Sequence, residues 1–448
     1  MTDPSPPFAE RYAEDLRSFV ERLVSFESTP GAEAGVQSFV RGHLDALGFE
    51  TYEWEADPVR LAGQPSFPDD PAEIQTADRP SVAGVLELGA GEGPTLLLNG
   101  HADVVPASDA PRATGESTHV GSDDEAPADD GAWHSDPFAP TWSEDGDWLT
   151  ARGAADMKSG LGACVYAARY LADRVEEGEA SLDGRIVVES VAGEEEGGIG
   201  AAASALDAPY PGDRNAAIVA EPTELCPVVA SEGSLMVRVE VRGRSAHAAT
   251  AWRGASALDR FEVVHDALRA LERERGESVV HPLYDRFPTP WPIVVGTVEA
   301  GEWASTVPAR LTAEVRVGVA PGETVAEVET AVRDRLTETA RESGWPDALS
   351  VERLGIQFEA SEIATDEPVV GAVQAAMGEN GPTDTAPLGV TYGADARHYI
   401  EAGIPTVLFG PGSIDQAHFP NESVEWADVV TAGATLATAA ERYLSGDE

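Results

Sequence analysis

Short apolar runs alternate with helical segments along most of this chain, and near Ser231 that alternation gives way to a different one. Phe8, Tyr12, Leu16, Phe19 and Leu23 recur at helical spacing and predict an amphipathic first helix. Val36, Phe39, Val40, Leu44 and Leu47 predict a second, closed by Gly48. Residues 49–54 alternate as a strand does. Residues 94–101, 185–191 and 216–220 are short and apolar, as buried strands are, and an apolar helix is expected over 160–171. After Ser231 the order becomes strand (235–241), helix (255–271), strand (293–298), strand (311–317), helix (325–340) and strand (349–353). From about Ser361 the earlier pattern resumes, with a helix over 368–377, a strand over 406–409 and a helix over 425–443.

This order predicts an α/β protein of two domains, as 448 residues allow. One is discontinuous, residues 1–229 and 361–448, with a mixed, mostly parallel sheet flanked by helices. The other, residues 230–360, has the βαββαβ order of a ferredoxin-like fold. Residues 57–80 are rich in Pro and Asp and read as a loop. Residues 107–131 are acidic, lack periodicity and read as a solvated insertion. No internal repeat is present.

Charge narrows the function classes. The formal net charge is -49, and Lys158 is the only lysine among 30 basic residues. Such a surface excludes nucleic acid, whose phosphates need a basic face, and anionic membrane surfaces. The hydrophobic share of 42% nonetheless supports a packed core. An acidic, almost lysine-free composition reads as adaptation to high salt, where screening relieves self-repulsion. An acidic protein without such adaptation is the plainer alternative. No apolar run approaches the ~18 residues of a membrane span. Residues 1–10 lack a basic stretch followed by an apolar one, so no secretory leader is expected. Two cysteines, Cys164 and Cys226, cannot make a disulfide framework, and a cytoplasmic location is expected.

Five metal-type donors sit just after expected strands, where open α/β sheets gather their ligands. They are His101 (in His101-Ala-Asp103), Asp156, Glu195 (in Glu194-Glu195-Glu196-Gly197-Gly198), Glu221 and His418. Each has a plainer reading. A His-x-Asp is often a structural pair, a run of glutamates a solvated face, and Glu221 before Pro222 a loop carboxylate. Five donors at five strand ends together point to a metal site.

In these segments the chain resembles the dinuclear zinc hydrolases that include acetylornithine deacetylase, succinyl-diaminopimelate desuccinylase, aminoacylase and glutamate carboxypeptidase. The matching segments are Asn99-Gly-His-Ala-Asp-Val-Val-Pro106, 152–160, 193–200, Ala220-Glu-Pro-Thr223, Gly243-Arg-Ser-Ala-His247, Tyr392-Gly-Ala-Asp-Ala-Arg397 and Ala417-His-Phe-Pro-Asn-Glu422. The resemblance spans the chain and includes the inserted domain, which it implies to be a lid and homodimer interface. It implies that Asp156 bridges two divalent ions, zinc first and cobalt as an alternative. His101 and Glu221 would complete one ion's ligands, and Glu195 and His418 the other's. Asp103 would orient His101. Glu194, preceding the liganding glutamate, would be the general base, and the Gly197-Gly198 pair sets that register, leaving Glu196 as a spacer. His247 would polarise the substrate carbonyl; without the resemblance it reads as a surface or turn histidine. Arg397 would bind a substrate carboxylate, against an internal ion pair with Asp395.

The implied reaction is amide hydrolysis of a small N-acyl amino acid by metal-activated water. A dipeptidase or carboxypeptidase using the same ions is the alternative, and a non-catalytic peptide-binding protein on this fold the remote one. Ser305 stands where many such enzymes have asparagine, and Trp303 lies beside it, which leaves the substrate class open. His119 and His134 read as solvated or structural.

If the acidic surface is a salt adaptation, the thermal midpoint rises with salt from the millimolar to the molar range. A midpoint independent of salt over that range would remove this reading.

Overall fold

A computed structural model describes residues 7–107, 132–381 and 384–446. The expected insertion, with His119, lies outside the described residues except for Ala107. Among the described residues the larger sheet has nine strands. Along its path the order is Glu50–Trp54, Ser81–Leu88, Gly184–Val191, Thr95–His101, Ala216–Val219, Thr406–Leu408, Val228–Ser231 and Ser361–Glu362, with Leu388–Val390 also paired to Val228–Ser231. The four strands from Gly184–Val191 to Thr406–Leu408 are mutually parallel, with antiparallel pairings on either side. Their registers decide which residues become neighbours. His101 pairs with Val191, and Asn99 with Val219, so residues just after these strands emerge side by side at one carboxyl edge.

Helices flank the sheet. Phe8–Val24 buries Phe8, Tyr12, Leu16, Phe19 and Leu23, the stripe expected from spacing. It packs with Ala34–Ala46, Ser159–Glu176 and Trp426–Ser445. Gly160 opens the approach of Ser159–Glu176 to the sheet: a Cβ there would lie 2.1 Å from the Ala220 carbonyl oxygen. The start of that helix is thereby pressed against the strand end that carries Glu221. Among the described residues no helix is long and apolar enough to cross a membrane.

Two features differ from expectation. Ser81–Leu88 is a strand that the sequence did not announce. Both its faces are covered, so it shows no alternation, and the Pro-rich stretch before it hides its start. The expected loop over 57–80 contains two short helical turns, Pro58–Leu61 and Pro71–Glu73. Asp57 and Asp70 cap them, accepting from Val59 N and Ala72 N at 2.9 Å each.

The second sheet has the order Ile293–Ala300, Arg310–Val319, Gly233–Arg242, Leu349–Arg353, all antiparallel. With Ala257–Ser278 and Val325–Glu342 it gives the expected βαββαβ order. Leu235, Val237, Val239 and Val241 alternate into a separate core. Only Glu232 separates its first strand from the larger sheet. Its edge strand Ile293–Ala300 leaves Val294 and Val298 about half exposed, at 51% and 48%.

Candidate metal centre

The ligand atoms of His101, Asp156 and Glu221 all lie within 4.8 Å of one another, and so do those of Asp156, Glu195 and His418. Asp156 belongs to both groups. Its Oδ1 is 3.0 Å from His101 Nε2, and its Oδ2 is 3.5 Å from His418 Nε2. His418 Nε2 also lies 3.0 Å from Glu195 Oε2. The structure thus brings together all five donors picked out in the sequence, in the two triads that the resemblance implied.

The fold delivers each donor differently. His101 ends its strand, and its Nδ1 is 2.9 Å from the backbone carbonyl of Asp103, which fixes the ring. The Asp103 carboxylate is farther from Nδ1, at 3.8 Å. It accepts instead from the backbone N–H groups of Gly193, Glu194 and Glu195, at 2.9, 3.3 and 3.1 Å. Asp103 therefore holds the ring by its backbone and the glutamate turn by its side chain. The turn closes through Gly197 and Gly198, both in left-handed backbone (φ 102° and 75°). Glu196 is drawn away by a short contact with Arg79, a buried guanidinium also paired with Glu33, which leaves Glu194 and Glu195 to the cluster. His418 itself sits at φ 65° and is half exposed.

The remaining expected site residues divide between the cluster and the second sheet's unit. Glu194 is buried in the negative field of Asp395, Glu221 and Glu195. Arg397 is buried with its guanidinium carbon 4.0 Å from the Phe358 ring centroid. Its Nη1 donates to the Ala394 carbonyl at 2.8 Å, while Nε and Nη2 have no hydrogen-bond partner among the described residues. Among the described residues neither carboxylate oxygen of Asp395 has a hydrogen-bond partner, so it and Arg397 do not form a hydrogen-bonded pair. His247 is not in the cluster. It is exposed on the second sheet's unit, bridged to Thr306, with Ala248 N donating to the Ser305 carbonyl at 2.8 Å. His134 donates its backbone N–H to Asn421 at 2.9 Å, a structural contact.

The electrostatics favour cations. Two unit charges 4.8 Å apart repel by about 3 kcal/mol at an effective dielectric near 20. Asp156, Glu194, Glu195, Glu221 and Asp395 lie together, so several such terms would exhaust a stability of roughly 5–15 kcal/mol. Protons or metal ions must offset them. Burial first, then the neighbouring carboxylates, push Glu194 and Glu221 well above the ordinary range; burial pushes Asp395 up to about 7 against the opposing charges of Arg397 and His101. Burial opposes a charge on His101, but Asp156, Asp103 and Glu221 outweigh it and hold its pKa well above the usual value. Three carboxylates and two imidazoles, in two triads sharing one carboxylate, suit a pair of divalent ions of the zinc type.

These shifts fix a sign. A group with a folded pKa above its unfolded one stabilises fully below the unfolded value, and this is lost as pH rises. Glu194, Glu221, His101 and His418 all shift upward. Asp156 shifts down and acts oppositely, but only at lower pH. Protein stripped of divalent cations should therefore lose thermal stability from about pH 5 to about pH 8. Glu221→Gln should flatten the dependence. A stripped wild type whose midpoint is constant or rises over that window contradicts the assignment.

Comparison with known proteins bears on the family and the fold. Residues 97–442 match the model of peptidase family M20/M25/M40. Acetylornithine deacetylase of Yersinia pseudotuberculosis (serotype O:1b, strain IP 31758) is 29% identical over 425 residues, 94% of each chain. The solved di-peptidase Dug1p of Saccharomyces cerevisiae superposes with a TM-score of 0.71 at 14% identity, covering 98% of both chains. The metallo-carboxypeptidase Sso-CP2 of Sulfolobus solfataricus gives 0.68 at 16% identity, over 96% of this chain and 99% of its own. At such identities the two structures speak for the fold alone. The family match covers most of the sequence and every donor of the two triads, and the chain accordingly belongs to peptidase family M20/M25/M40, as a hydrolase of amide or peptide bonds.

Proposed function

We propose that this protein is a metal-dependent deacylase that cleaves the amide bond of a small N-acyl amino acid. The observation that carries the reading is the pair of triads sharing Asp156, with Glu194 beside them, in a chain that aligns over 94% of its length with an acetylornithine deacetylase. His101, Asp156 and Glu221 would hold one ion, and Asp156, Glu195 and His418 the other. Zinc fits this donor set, and cobalt is the substitute. Two such ions supply Lewis acidity, bringing the pKa of water to roughly 7 and polarising an amide carbonyl.

The chain's own residues do the rest. Glu194 takes the proton of the attacking water on its carboxylate and delivers it to the departing amine nitrogen. It is buried beside the two triads, where a carboxylate that holds no ion can serve as the base. Asp103 keeps Glu194 in place through the backbone of the turn. Arg397, with two unpartnered nitrogens, would bind the substrate's carboxylate.

His247 is the missing oxyanion donor in this scheme. It is exposed, and Trp252 and Trp303 stand near it in sequence or on the adjoining turn, 78% and 74% exposed. We take residues 230–360 as a lid and dimerisation domain, and residues 1–229 and 361–448 as the catalytic domain. A second copy would cover this surface and present His247 to its partner's site. Mixing His247→Ala with Glu194→Gln protein, each inactive alone, should restore turnover through mixed dimers. No recovery after verified exchange would place His247 in its own subunit's site or outside the mechanism.

The substrate assignment is tested by a screen in high salt, with zinc or cobalt, against N-acetyl amino acids and dipeptides. N-acetyl amino acids should turn over. Glu194→Gln should lose roughly 10²–10⁴ of that rate with its metal content unchanged. Turnover of dipeptides alone would make the protein a peptidase, and full activity of Glu194→Gln would remove Glu194 as base.

A further inference from the structure

The segment Ala417-His-Phe-Pro-Asn-Glu422 contains a carboxylate that the proposed chemistry leaves unused. Glu422 is 1% exposed, and both its oxygens are occupied. Oε2 accepts from Arg152 Nη1 at 2.7 Å and from the backbone N–H of Gly153 at 3.0 Å. Oε1 accepts from the backbone N–H groups of Ala155 at 2.8 Å and Asp156 at 3.0 Å. One donor is thus the amide of the residue that both triads share.

Glu422 also lies four residues beyond His418. The backbone between them is unusual, with His418 at φ 65° and Asn421 at φ 58°, a region that non-glycine residues rarely occupy. The Glu422 carbonyl accepts from Ala151 N at 3.0 Å, and Arg152 Nη1 reaches the Phe419 carbonyl at 3.4 Å. A single residue therefore ties the loop that carries Asp156 to the loop that carries His418. The two loops are more than 260 residues apart in sequence.

We propose that Glu422 is a positioning residue for the metal pair, fixing Asp156 against His418 and so setting the affinity of the ion held by Asp156, Glu195 and His418. The proposal rests on the two-ion reading. A carboxylate presents acceptors only, so it can receive all four donors. Gln would turn an N–H₂ toward a backbone N–H, and Asp would draw the charge back until it could not reach both sides of the loop. Either change breaks part of the network that ties the Asp156 loop to the His418 loop, without touching a ligand atom.

The test is a cobalt(II) titration in high salt, followed by visible absorption and calorimetry, on wild type, Glu422→Gln and Glu422→Asp. Wild type should take up two equivalents. In the variants one of the two equivalents should lose at least tenfold in affinity, with kcat reduced and KM little changed at saturating metal. A purely structural role would lower the thermal midpoint and leave both affinities within twofold of wild type, which would overturn the proposal. Failure of both variants to fold would assign Glu422 to the fold instead. Wild type that binds no cobalt would defeat the two-ion reading itself, which separates the two failures.

Discussion

Crowded negative charge at the carboxyl edge of the parallel strands is the constraint on which this structure turns. Asp156 is shared by two triads, and Glu194, Glu195, Glu221 and Asp395 stand around it, most of them buried. No fold of ordinary stability holds such a group without compensation. Two further buried carboxylates beside it are satisfied by backbone amides. The Asp103 carboxylate gathers the N–H groups of residues 193–195, and Glu422 gathers those of Gly153, Ala155 and Asp156. In both cases a carboxylate outside the triads organises a loop that carries ligands. The charge of the two triads themselves is left for divalent cations.

The sheet makes this possible. Parallel strands release their C-terminal residues at one edge, and the pairing of His101 with Val191 and of Asn99 with Val219 sets which donors become neighbours. The close approach at Gly160 then carries Asp156, at the head of the following helix region, into the same space. Arg79 removes Glu196 from the crowd by pairing with it. The small antiparallel unit contributes no donor to the cluster. Its His247 is exposed, and its edge strand Ile293–Ala300 leaves Val294 and Val298 about half exposed.

Much of this was legible in the sequence because it follows from local rules. Helical spacing announced Phe8–Val24, alternation announced Gly233–Arg242, and donors after apolar runs announced the cluster. What stayed hidden depends on contacts distant in sequence. Ser81–Leu88 is covered on both faces and so lacks a strand's period. Ile199–Leu206 is an alanine-rich helix with no stripe to mark it. His101-Ala-Asp103 suggested a carboxylate orienting a ring. That the carboxylate would instead collect amides some 90 residues away could not be read from a two-residue spacing. Glu422 is the same case across a longer span: a glutamate after an asparagine looks like a surface residue until Gly153, Ala155 and Asp156 close on it.

On this proposal Asp156 would bridge two metal ions. Anomalous diffraction at the zinc absorption edge, from crystals grown with zinc, addresses it without reference to any substrate. Two peaks are expected roughly 3.5–4 Å apart, as in two-metal sites, one beside His101 and Glu221 and the other beside Glu195 and His418, with Asp156 between them. A single peak, or two peaks of which only one touches Asp156, would contradict it.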